Sequence, residues 1–287
     1  MITGDLTPPG GRGAGRDLTR RSGSRYAGLS INQGREPSRG PFDSLGMWRE
    51  GRDQCKHAVT STEVPAMDRV SDPVGYRLAK ALLSRPLRRA YDIEVKGDAR
   101  LPDGPVVLAA NHRSFMDSIF LALVVDRPVS FLAKAEYFAR RRTAWIFRST
   151  GQIPLWRGDP AGARRAIDAA LGVLARGGVV GVYPEGTRSR DGMLHRGNLG
   201  PARLAATSGA PILPIGLVGT DQVQAPDQRL PRMGKRVAVR FGRPVRLQPQ
   251  SASSRAQLRD ATDEVMADIA DLCGQPYDDR YARLAPT

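Results

Sequence analysis

The residues best suited to chemistry lie at 109–120, AANHRSFMDSIF. An apolar run, PVVLAA, stops at Asn111. His112 follows, one of only three histidines, with Asp117 five residues on. An imidazole within reach of a carboxylate is a base–orienter pair. The carboxylate fixes the tautomer and stabilises the imidazolium, leaving the second ring nitrogen to take a proton. A serine hydrolase would add a nucleophile elbow, and G-x-S-x-G is absent, so the substrate of such a pair would bring its own hydroxyl. The same spacing has a structural reading. Ser114 and Asp117 form Ser-x-x-Asp, a capping-box-like helix start, with His112 as a polar loop residue.

Three further stretches carry candidate groups. In GVVGVYPEGTRSRDG (178–192) an apolar run enters Pro184-Glu185-Gly186-Thr187-Arg188. Gly186 permits a tight turn beside a ligand, and Arg188 offers a planar fork of donors suited to phosphate. A surface turn with solvated charges would look the same. In GQIPLWRGDP (151–160), Arg157 follows a short apolar run and also reads as a solvated loop arginine. APILPIGLVG (210–219) is an apolar strand interrupted by Pro214, for which core packing is sufficient.

The elements that must position these groups alternate. Strand-like runs occupy 92–96, 105–110, 129–134, 179–183, 212–218 and 236–241. Helical patterns lie near 114–125, 136–149, 160–176, 198–208 and 254–273. Asp159, Pro160 and Gly177-Gly178 punctuate the third of these. The alternation predicts an α/β fold, a single domain with a mixed, largely parallel sheet flanked by helices. In such sheets ligands bind beyond the carboxyl ends of strands, where His112 falls. Residues 73–90 predict an amphipathic helix interrupted at Pro86. Leu78, Leu82 and Leu83 share one face, and Arg77, Lys80, Arg85, Arg88 and Arg89 supply charge.

Composition bounds the partners. Residues 1–66 are rich in Gly, Arg, Ser and Pro without periodicity and are expected to be disordered. Met67 opens ordinary globular sequence, so domain organisation is read as a 1–66 tail before a 67–287 domain. The tail is either dispensable, even an over-extended gene start, or a basic tether. A net charge of +15 favours an anionic partner: nucleic acid, a membrane surface or a phosphorylated substrate. Low aromatic content and the lack of a helix-turn-helix or RNP-like pattern argue against nucleic acid. No run reaches the ~20 apolar residues that span a bilayer, and no secretory signal is seen at the N-terminus. Cys55 and Cys273 make no ligand or redox spacing, and with so few histidines no metal site is expected.

Together the four stretches resemble the four blocks of the glycerolipid acyltransferases, particularly the 1-acyl-sn-glycerol-3-phosphate acyltransferases. The first block is N-H-x-x-x-x-D, here Asn111 to Asp117. The second is represented by Gly151, Ile153 and Arg157. The third, P-E-G-T-R-S, is matched in full by Pro184 to Ser189. The fourth is a proline-bearing apolar strand with Pro211 and Pro214. FLAKAEYF (131–138) and HRGNLGPARLA (195–205) resemble segments that follow the first and third blocks. The resemblance covers roughly 72–250. Tyr183 departs from it, standing where valine or phenylalanine is common.

The resemblance implies that His112 is a general base on the hydroxyl of a lysophospholipid and that Asp117 orients it. Arg157 and Arg188 would hold the acceptor's phosphate, with Glu185, Gly186 and Thr187 shaping that pocket. Glu185, beside two arginines, is expected to stay ionised as their partner. The acyl donor would be a thioester of coenzyme A or acyl carrier protein, with no cofactor. A membrane-borne acceptor implies a cytoplasmic protein, peripheral on an anionic inner membrane surface, held by the 73–90 helix and by Arg140, Arg141 and Arg142. Phe115, Met116, Phe120 and Phe138 could line an acyl tunnel or could be core.

Overall fold

The computed structural model describes residues 73–156, 159–247 and 254–283. The expected 1–66 tail, Met67, Cys55 and Arg157 lie outside the described residues, as do the side chains of Arg141 and Arg142.

The sheet is built around β2 (Val106–Ala110), whose five residues are all buried. Alternation along a strand sends neighbours to opposite faces, and β2 supplies two cores in this way. Val106, Leu108 and Ala110 pack with Phe120 and Leu121 of α2 (Asp117–Val124). Val107 and Ala109 face α5 (Pro160–Ala175), α6 (Gly200–Ser208) and α8 (Arg255–Cys273). A strand covered on both faces has no polar side, which is why the sequence reads as a continuous apolar run.

Seven strands form the sheet in the order β1-β8-β7-β2-β5-β3-β4. The remaining strands are β1 (Asp92–Lys96), β3 (Val129–Lys134), β4 (Ile153–Leu155), β5 (Val179–Val182), β7 (Ile212–Val218) and β8 (Arg236–Phe241). Only the β7–β8 pair is antiparallel; the others are parallel. The largely parallel α/β architecture follows the expectation. β4, a short apolar run outside the expected strands, is a three-residue edge strand in which Pro154 is tolerated.

Several boundaries move. β7 runs through Pro214 without interruption, because Pro214 stands opposite Gly242, where β8 has already ended. α1 (Pro73–Ala90) runs through Pro86. Pro86 and Leu82 are both exposed, so the carbonyl left without its helical partner lies on the solvated side. Lys80 does not join the surface charges; its Nζ donates to the Val125 carbonyl, and burial lowers its pKa against the pull of Asp126. The 136–149 helix breaks at Arg140, whose extended backbone (φ −84°, ψ 120°) separates α3 (Glu136–Ala139) from α4 (Arg141–Ser149). After α8 the chain turns at Gly274 (φ 72°), and β9 (Tyr277–Asp278) pairs with β6 (Leu194–His195). That C-terminal strap was not anticipated.

Candidate active site

The site forms where β2 and β5 end side by side. His112 lies two residues beyond β2, and Pro184–Ser189 follow β5. Asp117, fully buried at the first turn of α2, reaches back with one oxygen. Its Oδ2 lies 2.8 Å from His112 Nδ1 and accepts from the Arg113 and Ser114 amides, also at 2.8 Å. Ser114 Oγ accepts from the Met116 amide at 3.1 Å. Asp117 thus caps the Ser114 amide as a capping box would, but Ser114 Oγ takes the Met116 amide rather than that of Asp117, and the helix proper starts at Asp117 rather than 114. The structural and chemical readings are not exclusive, since one carboxylate oxygen makes the contacts that each requires. With Nδ1–H held by a carboxylate, Nε2 is the atom disposed to take a proton.

The His112 turn is locked to the loop after β5. Its amide donates to Glu185 Oε1 at 3.1 Å, and its carbonyl accepts from the Ser189 amide at 2.7 Å. Glu185 Oε2 accepts from the His195 amide at 3.1 Å. The expected pairing of Glu185 with two arginines is not what its environment provides. Glu185 is buried, no arginine among the described residues lies within ion-pair distance of it, and burial pushes its pKa up to about 8. The His195 and His112 amides oppose that rise, while the negative charges of Asp117 and Asp191 add to it. A carboxyl without a countercharge in a desolvated site behaves this way.

Gly186 takes φ 73°, a left-handed turn that admits glycine without strain, and Thr187 is buried beside it. Arg188 is half-buried, and no carboxylate among the described residues lies within ion-pair distance of it. His112, Gly186 and Arg188 line one cavity of about 510 Å³. The cavity is otherwise largely apolar, walled by α1, α2, β3, α4 and α6. Leu83 and Ile146 line it and are exposed, so it reaches the surface between α1 and α4. Of the four candidate tunnel residues only Phe115 lines it; Met116 and Phe120 are buried in the core, and Phe138 packs on Phe147 at 5.4 Å. Tyr137 and Phe147 supply the aromatic wall instead.

Sequence reasoning passed over several residues. Tyr183, expected at the end of a buried strand, lies one residue past β5 and stacks on His112 with ring centroids 3.8 Å apart. Asn198 donates to the Pro184 carbonyl from both its amide (2.8 Å) and its Nδ2 (3.0 Å), clamping the Pro184 turn. Gln275, from the strap, accepts from Asn111 Nδ2 and donates to the Gly192 carbonyl. An aromatic before the Pro-Glu-Gly turn was the visible signal for Tyr183; Gln275 left none.

Residues 92–218 match the family model described as Acyltransferase. The chain is 32% identical over 158 residues to a chloroplastic 1-acyl-sn-glycerol-3-phosphate acyltransferase of Brassica napus, covering 54% of this chain and 46% of that protein. It thus spans less than half the length of that relative. It is 30% identical over 174 residues to the lyso-ornithine lipid O-acyltransferase of Pseudomonas aeruginosa, covering 57% of this chain and 65% of that protein. The crystal structure of the 1-acyl-sn-glycerophosphate acyltransferase from Thermotoga maritima superposes with a TM-score of 0.57 at 26% identity, over 74% of this chain and 81% of that one.

Proposed function

We propose that residues 92–218, which match the Acyltransferase model, are a domain of the glycerolipid acyltransferase kind, and that the protein moves a fatty acyl group from an acyl thioester to the hydroxyl of 1-acyl-glycerol 3-phosphate, giving phosphatidic acid. One observation carries the reading: His112, held from behind by Asp117, lines the same largely apolar cavity as Arg188. In this scheme His112 Nε2 takes the proton of the acceptor hydroxyl. The oxygen attacks the thioester carbonyl, the carbon–sulfur bond breaks, and the leaving thiolate takes the proton back from His112. Asp117 orients the ring and stabilises its charge. Arg188, together with Arg157 from outside the described residues, holds the phosphate, and Glu185, Gly186 and Thr187 shape that end. The apolar cavity receives the acyl chain. Positioned proton transfer contributes ~10²–10⁴-fold to the rate.

The acceptor is membrane-borne, and the outer surface suits that. Among the described residues no helix is long and apolar enough to cross a membrane. Yet α1 exposes Val74, Leu78 and Leu82, and α4 exposes Trp145 and Ile146. Leaving such side chains in water forgoes roughly 1.5–3 kcal/mol each relative to burial. Arg77, Arg85, Arg88 and Arg89 surround them on α1. An apolar strip flanked by arginines fits an anionic bilayer surface. A second reading keeps the chemistry and changes the acceptor to a lyso-aminolipid. The length shared with the lyso-ornithine lipid O-acyltransferase favours it; the guanidinium of Arg188, with no carboxylate in ion-pair distance among the described residues, favours a phosphate.

The test is thiol release by the full chain from palmitoyl-coenzyme A or palmitoyl acyl carrier protein, with lysophosphatidic acid, a lyso-aminolipid or no acceptor, beside His112→Ala. Release that needs both lysophosphatidic acid and His112 supports the proposal. Release without acceptor indicates a thioesterase, and release only with the lyso-aminolipid selects the second reading.

A further inference from the structure

Tyr183 and His112 lie face to face, centroids 3.8 Å apart and planes inclined by 10°. Phe131 extends the stack behind Tyr183 at 6.1 Å and 12°. The Tyr183 hydroxyl and Ser118 Oγ are 2.7 Å apart, and Ser118 is the residue after Asp117 on α2. The phenol ring is therefore pinned to the helix that carries the orienting carboxylate. Burial, reinforced by the negative charge of Asp117, pushes the Tyr183 hydroxyl well above its ordinary pKa, so the ring stays a neutral phenol. Stacking holds the two rings together in either state, and the cation–π attraction is added only when the imidazole becomes cationic.

We infer that Tyr183 is a positioning residue for His112, holding the imidazole plane and stabilising its protonated form through the face of the phenol ring. The inference rests on the acyl-transfer reading for its consequence in turnover, because only there does the imidazolium form during the reaction. Several other groups bear on the same ring. Asp117 comes from α2. Glu185 and Arg188 come from the loop after β5. Arg113, on His112's own turn, is drawn to Asp221 at 3.1 Å. Lys134 from β3 and Lys80 from α1 line the same cavity. Substitution at Tyr183 removes none of these charges.

The experiment is an NMR pH titration of ring-labelled histidine in the full chain, with the His112 signal identified by its loss in His112→Ala. Tyr183→Leu removes the ring face while still excluding water, and its His112 pKa is expected to fall by about half a unit to one and a half units. Tyr183→Phe keeps the face and should titrate as the wild type. Tyr183→Met repeats the test with a second apolar, non-aromatic side chain, should Tyr183→Leu fail to fold. In turnover Tyr183→Leu should lower kcat about two- to tenfold with KM for the thioester unchanged, and Tyr183→Phe should restore it. An unshifted His112 in the Leu and Met variants would overturn the inference, as would a fall in Tyr183→Phe as large as in Tyr183→Leu. The titration needs no turnover, so failure of the acyl-transfer reading would leave the expected shift in place.

Discussion

Asn111 pairs with Leu217 as one strand residue pairs with another. Its Oδ1 accepts the Leu217 amide at 2.7 Å, and its Nδ2 returns a bond to the Leu217 carbonyl at 2.9 Å. A side-chain amide thus continues the β2–β7 ladder past the point where the backbone turns away toward His112. The third bond of Asn111, to Gln275 Oε1 at 2.6 Å, ties the same point to the C-terminal strap. Asn111→Ala should therefore leave buried Leu217 groups unpaired at ~1–3 kcal/mol each. A lowered urea midpoint checks this, and an unchanged one would mean that water replaces the side chain.

The two members of the His112–Asp117 pair should part company in stability. His112→Ala is expected to lose ~10²–10⁴-fold in turnover while unfolding near the wild-type midpoint. Asp117→Ala should lose turnover and also ~1–3 kcal/mol, because its Oδ2 serves the Arg113 and Ser114 amides as well as the ring. Equal stability of the two variants would remove Asp117's structural role.

Glu185 makes a prediction with a definite sign. Its folded pKa of about 8 stands above its ordinary 4.5, so between those values the folded state binds more protons than the unfolded one. Its contribution is full below about pH 4.5 and is lost as pH rises toward 8, at up to ~1.4 kcal/mol per unit. Glu185→Gln cannot titrate and should flatten that slope. Unfolding free energies measured across this range in both proteins decide the matter; parallel slopes would place the titration elsewhere.

Gly181 supports the stack behind His112. A β-carbon there would lie 2.4 Å from the Phe131 ring. Gly181→Ala should cost ~1–3 kcal/mol through overpacking and displace Phe131 from Tyr183. Near-ultraviolet circular dichroism should report the altered aromatic packing; an unchanged spectrum at wild-type stability would show that the ring shifts without consequence.

Much of this arrangement was legible along the chain. Six strands were read within a residue or so of their observed limits, because strands buried on both faces form apolar runs bounded by turn residues. The His112–Asp117 contact was also legible, since a residue in the first turn of a helix reaches back to the turn before it. The same local reasoning expects α1 to be interrupted at Pro86, where exposure of the helix face decides the outcome, and misses β4, three residues at a sheet edge.

Six of the sheet strands, their alternation with helices and the two loops that carry the candidate groups can be read from residues a few positions apart. What those loops do to one another is set by long-range packing. His112 and Glu185 are 73 residues apart, and Asn111 and Leu217 are 106 apart. No local pattern records such separations. Glu185 is expected as an ionised partner of two arginines and is instead a buried carboxyl between two backbone amides. Tyr183 reads as strand core and is instead the face against His112. In each case the physical state of the group is set by which distant surfaces exclude water from it, and strand order assigns those surfaces.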